Sequence, residues 1–139
     1  MTDVQPISLI LGLKPLGTVC ELESAVSAGL PKRSVVRLAA RLYPDAREAL
    51  RYRSTIVPLA TWKRRTTRLS PAESERTERL ARVLAFAEHV WDDQDLARRW
   101  IFAPHPELDN RVPIEVARTE LGARRVEALL NRLLYGLPV

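Results

Sequence analysis

SPAESERTERLARVLAFAEHVW, residues 70–91, is the stretch that decides the fold. Ser70 offers a hydroxyl at a helix N-cap, Pro71 takes the first helical position, and Glu73 stands three residues after the cap. That is the spacing of a capping box, in which two side chains satisfy otherwise orphaned backbone N–H groups. Leu80, Val83, Leu84, Ala87, Val90 and Trp91 then recur at steps of three and four, while Arg76, Glu78, Arg79 and Arg82 fall on other faces. The spacing predicts a long helix that buries one stripe.

Downstream, Asp92-Asp93-Gln94-Asp95 supplies acceptors for a second helix start, Leu96 to Phe102, which Pro104 and Pro106 end. A loop from Ala103 to Val112 leads to a short helix that Pro113 opens and Gly122 closes. A last helix over 123–135 carries Val126, Leu129, Leu130, Leu133 and Leu134 on one side, with Gly136 and Pro138 to stop it. Upstream, a helix is expected from Pro31 to Tyr43 with Val35, Leu38, Ala39 and Leu42 inward. A second follows from Asp45 to Arg53 and a third from Pro58 to Thr67, separated by the β-branched run Thr55-Ile56-Val57. Two short helices on a tight connection suggest helix-turn-helix, without the usual glycine in the turn. Glycine is scarce, with five in 139 residues, and no Asn-Gly or Asp-Gly hairpin signal occurs. The expected fold is all-α, in one core of ordinary size or two small helical lobes.

Charge is segregated along the chain. Residues 30–68 carry eleven Lys or Arg against Asp45 and Glu48, a net +9, whereas the chain as a whole sums to only +5. Such a block suits a phosphate-facing lobe, because Lys and Arg release counterions from nucleic acid; a merely solvated basic face is the alternative. Its densest part is Thr61-Trp62-Lys63-Arg64-Arg65-Thr66-Thr67-Arg68. On a helix beginning near Pro58, Thr61, Lys63, Arg64, Arg65 and Arg68 are the candidates to reach base edges and phosphates. Trp62, Trp91 and Trp100 are read as core residues.

A search for catalytic groups returns little. Cys20 is the single cysteine, and neither His89 nor His105 has metal-ligand company at helical or knuckle spacing. Asp92, Asp93 and Asp95 lack the glycine and distal Glu of a calcium loop, so helix capping is the better account. Glycines 12, 17, 29, 122 and 136 are too dispersed for a phosphate loop. No catalytic role, metal or cofactor is expected of this chain. The apolar stretch Ile7 to Leu13 is far short of the roughly 20 residues a bilayer requires, and a cytoplasmic location is expected.

The last seventy residues resemble the toxin-binding domain of the Xre/MbcA/ParS-like antitoxins. The residues that carry the resemblance are Leu69-Ser70-Pro71-Ala72-Glu73-Ser74-Glu75-Arg76, Ala97-x-x-Trp100-Ile101-x-x-Pro104, Pro113-x-x-Val116-x-x-Thr119-Glu120-x-Gly122, Val126, and Leu133-Leu134-Tyr135-Gly136. Val57-Pro58-Leu59-Ala60-Thr61-Trp62-Lys63-Arg64-Arg65 is similar to the stretch that forms the second helix of an Xre-like helix-turn-helix. Asp109-Asn110 stands where many members carry a Gly-rich turn, and Trp62 replaces an aliphatic residue. The resemblance implies a DNA-binding lobe over 1–68, with 1–29 an unassigned extension, and a toxin-binding domain over 69–139. It further implies operator DNA, a homodimer within a toxin–antitoxin hetero-oligomer, and a partner toxin of the RES type, which consumes NAD or uses it to ADP-ribosylate a target.

On that footing the tail Tyr135-Gly136-Leu137-Pro138-Val139 is suited to plug the toxin's NAD pocket. Gly136 lets the backbone turn, Pro138 stiffens it, Leu137 and Val139 are apolar, and the terminal carboxylate can pair with a phosphate-holding cation. A frayed chain end is the alternative. Arg124, Arg125 and Arg132 are expected to form a polar rim around the contact. The competing class is a stand-alone transcription regulator whose C-terminal domain serves dimerisation.

Overall fold

The predicted capping box closes in both directions: the Glu73 N–H donates to Ser70 Oγ at 3.1 Å, and the Ser70 N–H donates to Glu73 Oε1 at 2.7 Å. This holds in a computed structural model that describes residues 3–65 and 67–137. Among these residues the protein is all-helical, with nine α-helices and no strand beyond two isolated bridges. The helices are α1 Val4–Leu11, α2 Val19–Ala28, α3 Lys32–Leu42, α4 Ala46–Ile56, α5 Leu59–Arg64, α6 Pro71–Trp91, α7 Gln94–Ile101, α8 Pro113–Val116 and α9 Glu120–Leu134, with a 3-10 turn at Pro106–Leu108. Among the described residues no helix is long and apolar enough to cross a membrane.

The chain forms two compact units, Met1–Ala81 and Arg82–Val139, so that α6 begins in the first and ends in the second. In the first unit α3 packs against α1 and α4, burying Val35, Leu38, Ala39 and Leu42 as its period predicts. Ile7, Ile10 and Leu11 of α1 and Tyr52 and Ile56 of α4 complete this core. Each buried Val, Leu or Ile side chain contributes about 1.5–3 kcal/mol. Residues 1–29, to which the sequence pattern assigns no role, therefore supply part of the core: Ser34 Oγ donates to the Leu11 carbonyl at 2.7 Å and locks α1 to α3.

The first compact unit runs to Ala81, and polar contacts give the reason that it includes the start of α6. The Leu30 N–H donates to the buried Ser74 Oγ at 2.8 Å, the Leu69 N–H to the Leu30 carbonyl at 2.8 Å, and Arg65 pairs with Glu73. The first turns of α6 are thus fastened to the N-terminal unit.

Three expectations of the sequence are corrected. Thr55 and Ile56 do not separate helices; they finish α4, because Ile56 and Val57 are buried, and only Val57-Pro58 connects to α5. Val57 (φ −127°) and Pro58 (φ −54°) are both on the negative-φ side, so this turn has no position that demands glycine. Gly122 does not close a helix. It lies in the first turn of α9, where a Cβ would come within 1.8 Å of the Val116 carbonyl oxygen, so glycine is needed for the close approach of α8 and α9. Trp91 and Leu134, expected in the core, are exposed, at the ends of their helices.

In the second unit, Val83, Leu84, Ala97, Ile101, Leu108, Ile114, Val126, Leu129 and Leu130 are buried. Arg82 reaches Glu120 at 3.4 Å and Glu127 at 3.2 Å. Asp109 and Asn110 both adopt left-handed backbone (φ 59° and 60°), the conformation a Gly-rich turn would supply and one that Asp and Asn tolerate.

Candidate nucleic-acid interface and partner-binding surface

α5 is the shortest helix of the first unit, six residues long, and none of its residues is buried. Leu59, Ala60, Lys63 and Arg64 are exposed, while Thr61 and Trp62 are half-buried. An isolated helix of this length is unstable in water, so contacts outside it must fix its position. Three cations, two from other parts of the unit and one from its own end, provide them. Lys32, at the start of α3, donates from Nζ to the Trp62 carbonyl at 3.0 Å and to the Arg65 carbonyl at 2.9 Å. The same ammonium lies 4.2 Å from the centroid of the Trp62 ring, and the Arg53 guanidinium lies 4.3 Å from it. Trp62 is therefore a half-buried platform for two cations rather than a fully buried core residue.

Arg65 and Arg68, both candidates for DNA contact, also have partners within the unit, Arg65 half-buried and Arg68 exposed. Arg65 Nε sits 3.2 Å from Glu73 Oε1, and Arg68 donates from NH1 to the Gly29 carbonyl at 2.7 Å. Burial penalises the Glu73 carboxylate. The Ser70 N–H, the Arg65 guanidinium and the Ser70 hydroxyl outweigh that penalty and hold it below the usual carboxylate range. Of the remaining candidates, Lys63 and Arg64 face solvent and Thr61 accepts from Arg64 NH2 at 3.4 Å. Arg47 and Arg51 on α4 add exposed positive charge. The charge block alone does not separate the cations that face outward from those that brace α5, because the partners of Lys32 lie thirty residues away or more.

The end of α9 is ordered by backbone geometry. The Leu137 N–H donates to the Arg132 carbonyl at 2.8 Å and the Gly136 N–H to the Leu133 carbonyl at 3.2 Å, with Gly136 left-handed at φ 68°. These are the two bonds of a Schellman motif, and its left-handed position is why glycine stands there. The motif leaves Tyr135 and Leu137 solvent-exposed, at 68% and 52%. Leu121, 71% exposed, adds a further uncovered apolar side chain on α9. Pro138 and Val139 lie outside the described residues.

The expected arginine rim divides. Arg124 is exposed, but Arg125 donates to the Glu107 carbonyl at 3.2 Å and to Asp109 Oδ2 at 3.3 Å, and Arg132 pairs with Glu107 Oε2 at 2.6 Å. Arg125 and Arg132 thus brace the loop that follows α7. His105, in that loop, accepts the Glu107 N–H on Nδ1 at 3.1 Å and caps the 3-10 turn; His89 and Cys20 are exposed. Among the described residues no group of three or more His, Cys, Asp or Glu can hold a metal ion.

Two family models match the chain. Residues 21–82 match the antitoxin Xre-like helix-turn-helix domain, and residues 86–136 match the antitoxin Xre/MbcA/ParS C-terminal toxin-binding domain. Antitoxin Xre of Pseudomonas putida is 28% identical over 135 residues, covering 94% of this chain and 81% of the relative. Antitoxin Xre of Yersinia enterocolitica is 36% identical over 89 residues, covering 61% of this chain and 60% of the relative.

Proposed function

The chain belongs to the Xre antitoxin family, and from that premise we propose that it neutralises a partner toxin through its C-terminal unit and binds DNA through α4 and α5. The observation that carries the reading is the match of both domains, in order, within one chain. The partner is a RES-type toxin, an enzyme that consumes NAD or transfers its ADP-ribose to a target. The ordered end of α9, with Tyr135 and Leu137 projecting from a closed backbone, is the part that enters the toxin's cleft. Pre-ordering lowers the entropy cost of such a contact.

DNA binding rests on Lys63 and Arg64, the exposed cations of α5, with Arg47 and Arg51 on α4 adding phosphate attraction. The antitoxin acts as a homodimer, so that two α5 helices reach two half-sites of an operator. It contributes no catalytic group to the toxin's chemistry.

The test is co-expression with the protein encoded beside it. A stable complex that co-purifies, and that retards a duplex from upstream of the operon, is the expected result. A toxin that remains active and elutes alone overturns the antitoxin reading. Retained DNA binding in that case would point to a stand-alone regulator.

A further inference from the structure

Lys32 breaks a local rule. It is the first residue of α3, where the helix dipole is positive; Pro31 gives that end no side-chain cap, and the first turn holds no acidic residue. A cation there costs about 0.3–1 kcal/mol, so its placement calls for a gain elsewhere. The gain lies at the other helix terminus it touches. Its ammonium meets two carbonyls at the C-terminal end of α5, Trp62 at 3.0 Å and Arg65 at 2.9 Å, where the dipole is negative and carbonyls lack helical partners. It also lies over the Trp62 ring at 4.2 Å, with Arg53 against the same ring at 4.3 Å. α5 has no side-chain N-cap and no buried residue, so few other contacts fix its orientation.

The geometry points to Lys32 as a positioning residue for sequence-specific DNA binding, acting through the C-terminal carbonyls and the tryptophan of α5. This inference rests on the reading of α5 as a DNA-contacting helix. Lys32 does not itself touch DNA. It holds the angle at which Lys63 and Arg64 are presented, with Trp62 as the surface on which the clamp closes. A tryptophan at this position, where an aliphatic residue would have no π face, is part of the same device.

The test compares the full-length protein with Lys32→Met, Lys32→Arg and Arg53→Met, using a duplex from upstream of its own coding sequence and an unrelated duplex of equal length. Lys32→Met is expected to lose at least about ten-fold in affinity for the upstream duplex while affinity for the unrelated one changes less than about three-fold. Lys32→Arg, which keeps a cation and several donors, is expected to restore most of the loss, and Arg53→Met to fall between. Amide exchange at Lys63, Arg64 and Arg65 is expected to quicken in Lys32→Met without DNA. Equal losses on both duplexes, with a salt slope smaller by about 0.9, would make Lys32 a phosphate-binding residue and overturn the proposal. So would wild-type affinity in Lys32→Met. Should Lys32→Met fail to fold, Arg53→Met and Lys32→Arg carry the comparison, and wild-type discrimination by Arg53→Met with none by Lys32→Arg overturns it. If the wild-type protein does not distinguish the duplexes, the DNA reading fails. Amide exchange then decides the clamp alone, and unchanged exchange in Lys32→Met overturns it.

Discussion

Arg65, the C-cap of α5, and Glu73, in the first turn of α6, form an ion pair at 3.2 Å in which the carboxylate also receives the Ser70 N–H at 2.7 Å. One carboxylate thus fastens the connection between two helices and caps the second. Burial opposes its charge, but the donors around it prevail and its pKa is lowered. The unfolded chain therefore takes up this proton at higher pH than the native one. The stability Glu73 contributes is complete above the ordinary carboxylate range and is lost as pH falls through the lowered native value. Glu73→Ala is expected to cost about 1–3 kcal/mol at pH 7, and Glu73→Gln to flatten the acid limb of a plot of melting temperature against pH. Equal acid sensitivity in Glu73→Gln and wild type would contradict this.

Glu127 has the opposite sign. Burial raises its pKa in spite of Arg82, and Glu120 raises it further. The native state then holds the proton to higher pH than the unfolded chain, so stability falls as pH rises through the raised value. Arg82 keeps Glu120 at 3.4 Å when Glu127 is neutralised. Glu127→Gln is expected to leave the melting temperature at pH 7 unchanged or higher, measured beside Glu73→Gln, which lowers it.

Lys63 and Arg64 face solvent on α5. Replacing both with alanine is expected to weaken DNA binding and to reduce the slope of log K against log salt by up to about 1.8, roughly 0.9 for each phosphate left without its cation. Stability should change by less than about 0.5 kcal/mol, as for surface substitutions elsewhere. An unchanged slope in a titration between low and moderate salt would remove both residues from the interface.

Gly122 leaves no room for a side chain, since a Cβ would sit 1.8 Å from a backbone oxygen that cannot rotate aside. Gly122→Ala is expected to destabilise the second unit by about 3 kcal/mol or more. Toxin capture by the purified variant should fall accordingly while binding to DNA is retained. A variant that melts like wild type would show that α8 and α9 can separate at little cost.

Tyr135 and Leu137 are exposed on a backbone that is already hydrogen-bonded. Leu137→Asp and Tyr135→Ala are expected to weaken toxin binding by about 1–3 kcal/mol each, the range for removing an apolar anchor from a pocket, with no change in melting temperature. Binding measured by calorimetry on the isolated pair decides this.

Much of the fold is legible because helix signals are local. The capping box of α6, the Asp93 cap of α7 and the inward stripe of α3 all depend on neighbours within four residues. The caps of α1 and α2 are present in the sequence too, as Asp3 before Gln5 and as the pair Thr18 and Glu21, but their apolar periods are only eight and ten residues long. Gly122 is not legible, since a glycine that ends a helix and one that admits a neighbouring backbone are the same letter. The site divides in the same way. Composition locates the basic lobe, whereas the roles of Lys32, Arg65 and Arg68 depend on carbonyls and carboxylates that only folding brings near.

The most direct test of the proposed antitoxin action is a titration of the purified RES-type toxin proposed as its partner with this protein, followed as NAD remaining over time. NAD consumption that stops at a fixed ratio of the two proteins, and resumes when the variant lacking residues 135–139 is used instead, is the predicted result. Full toxin activity in the presence of excess intact protein would contradict the account.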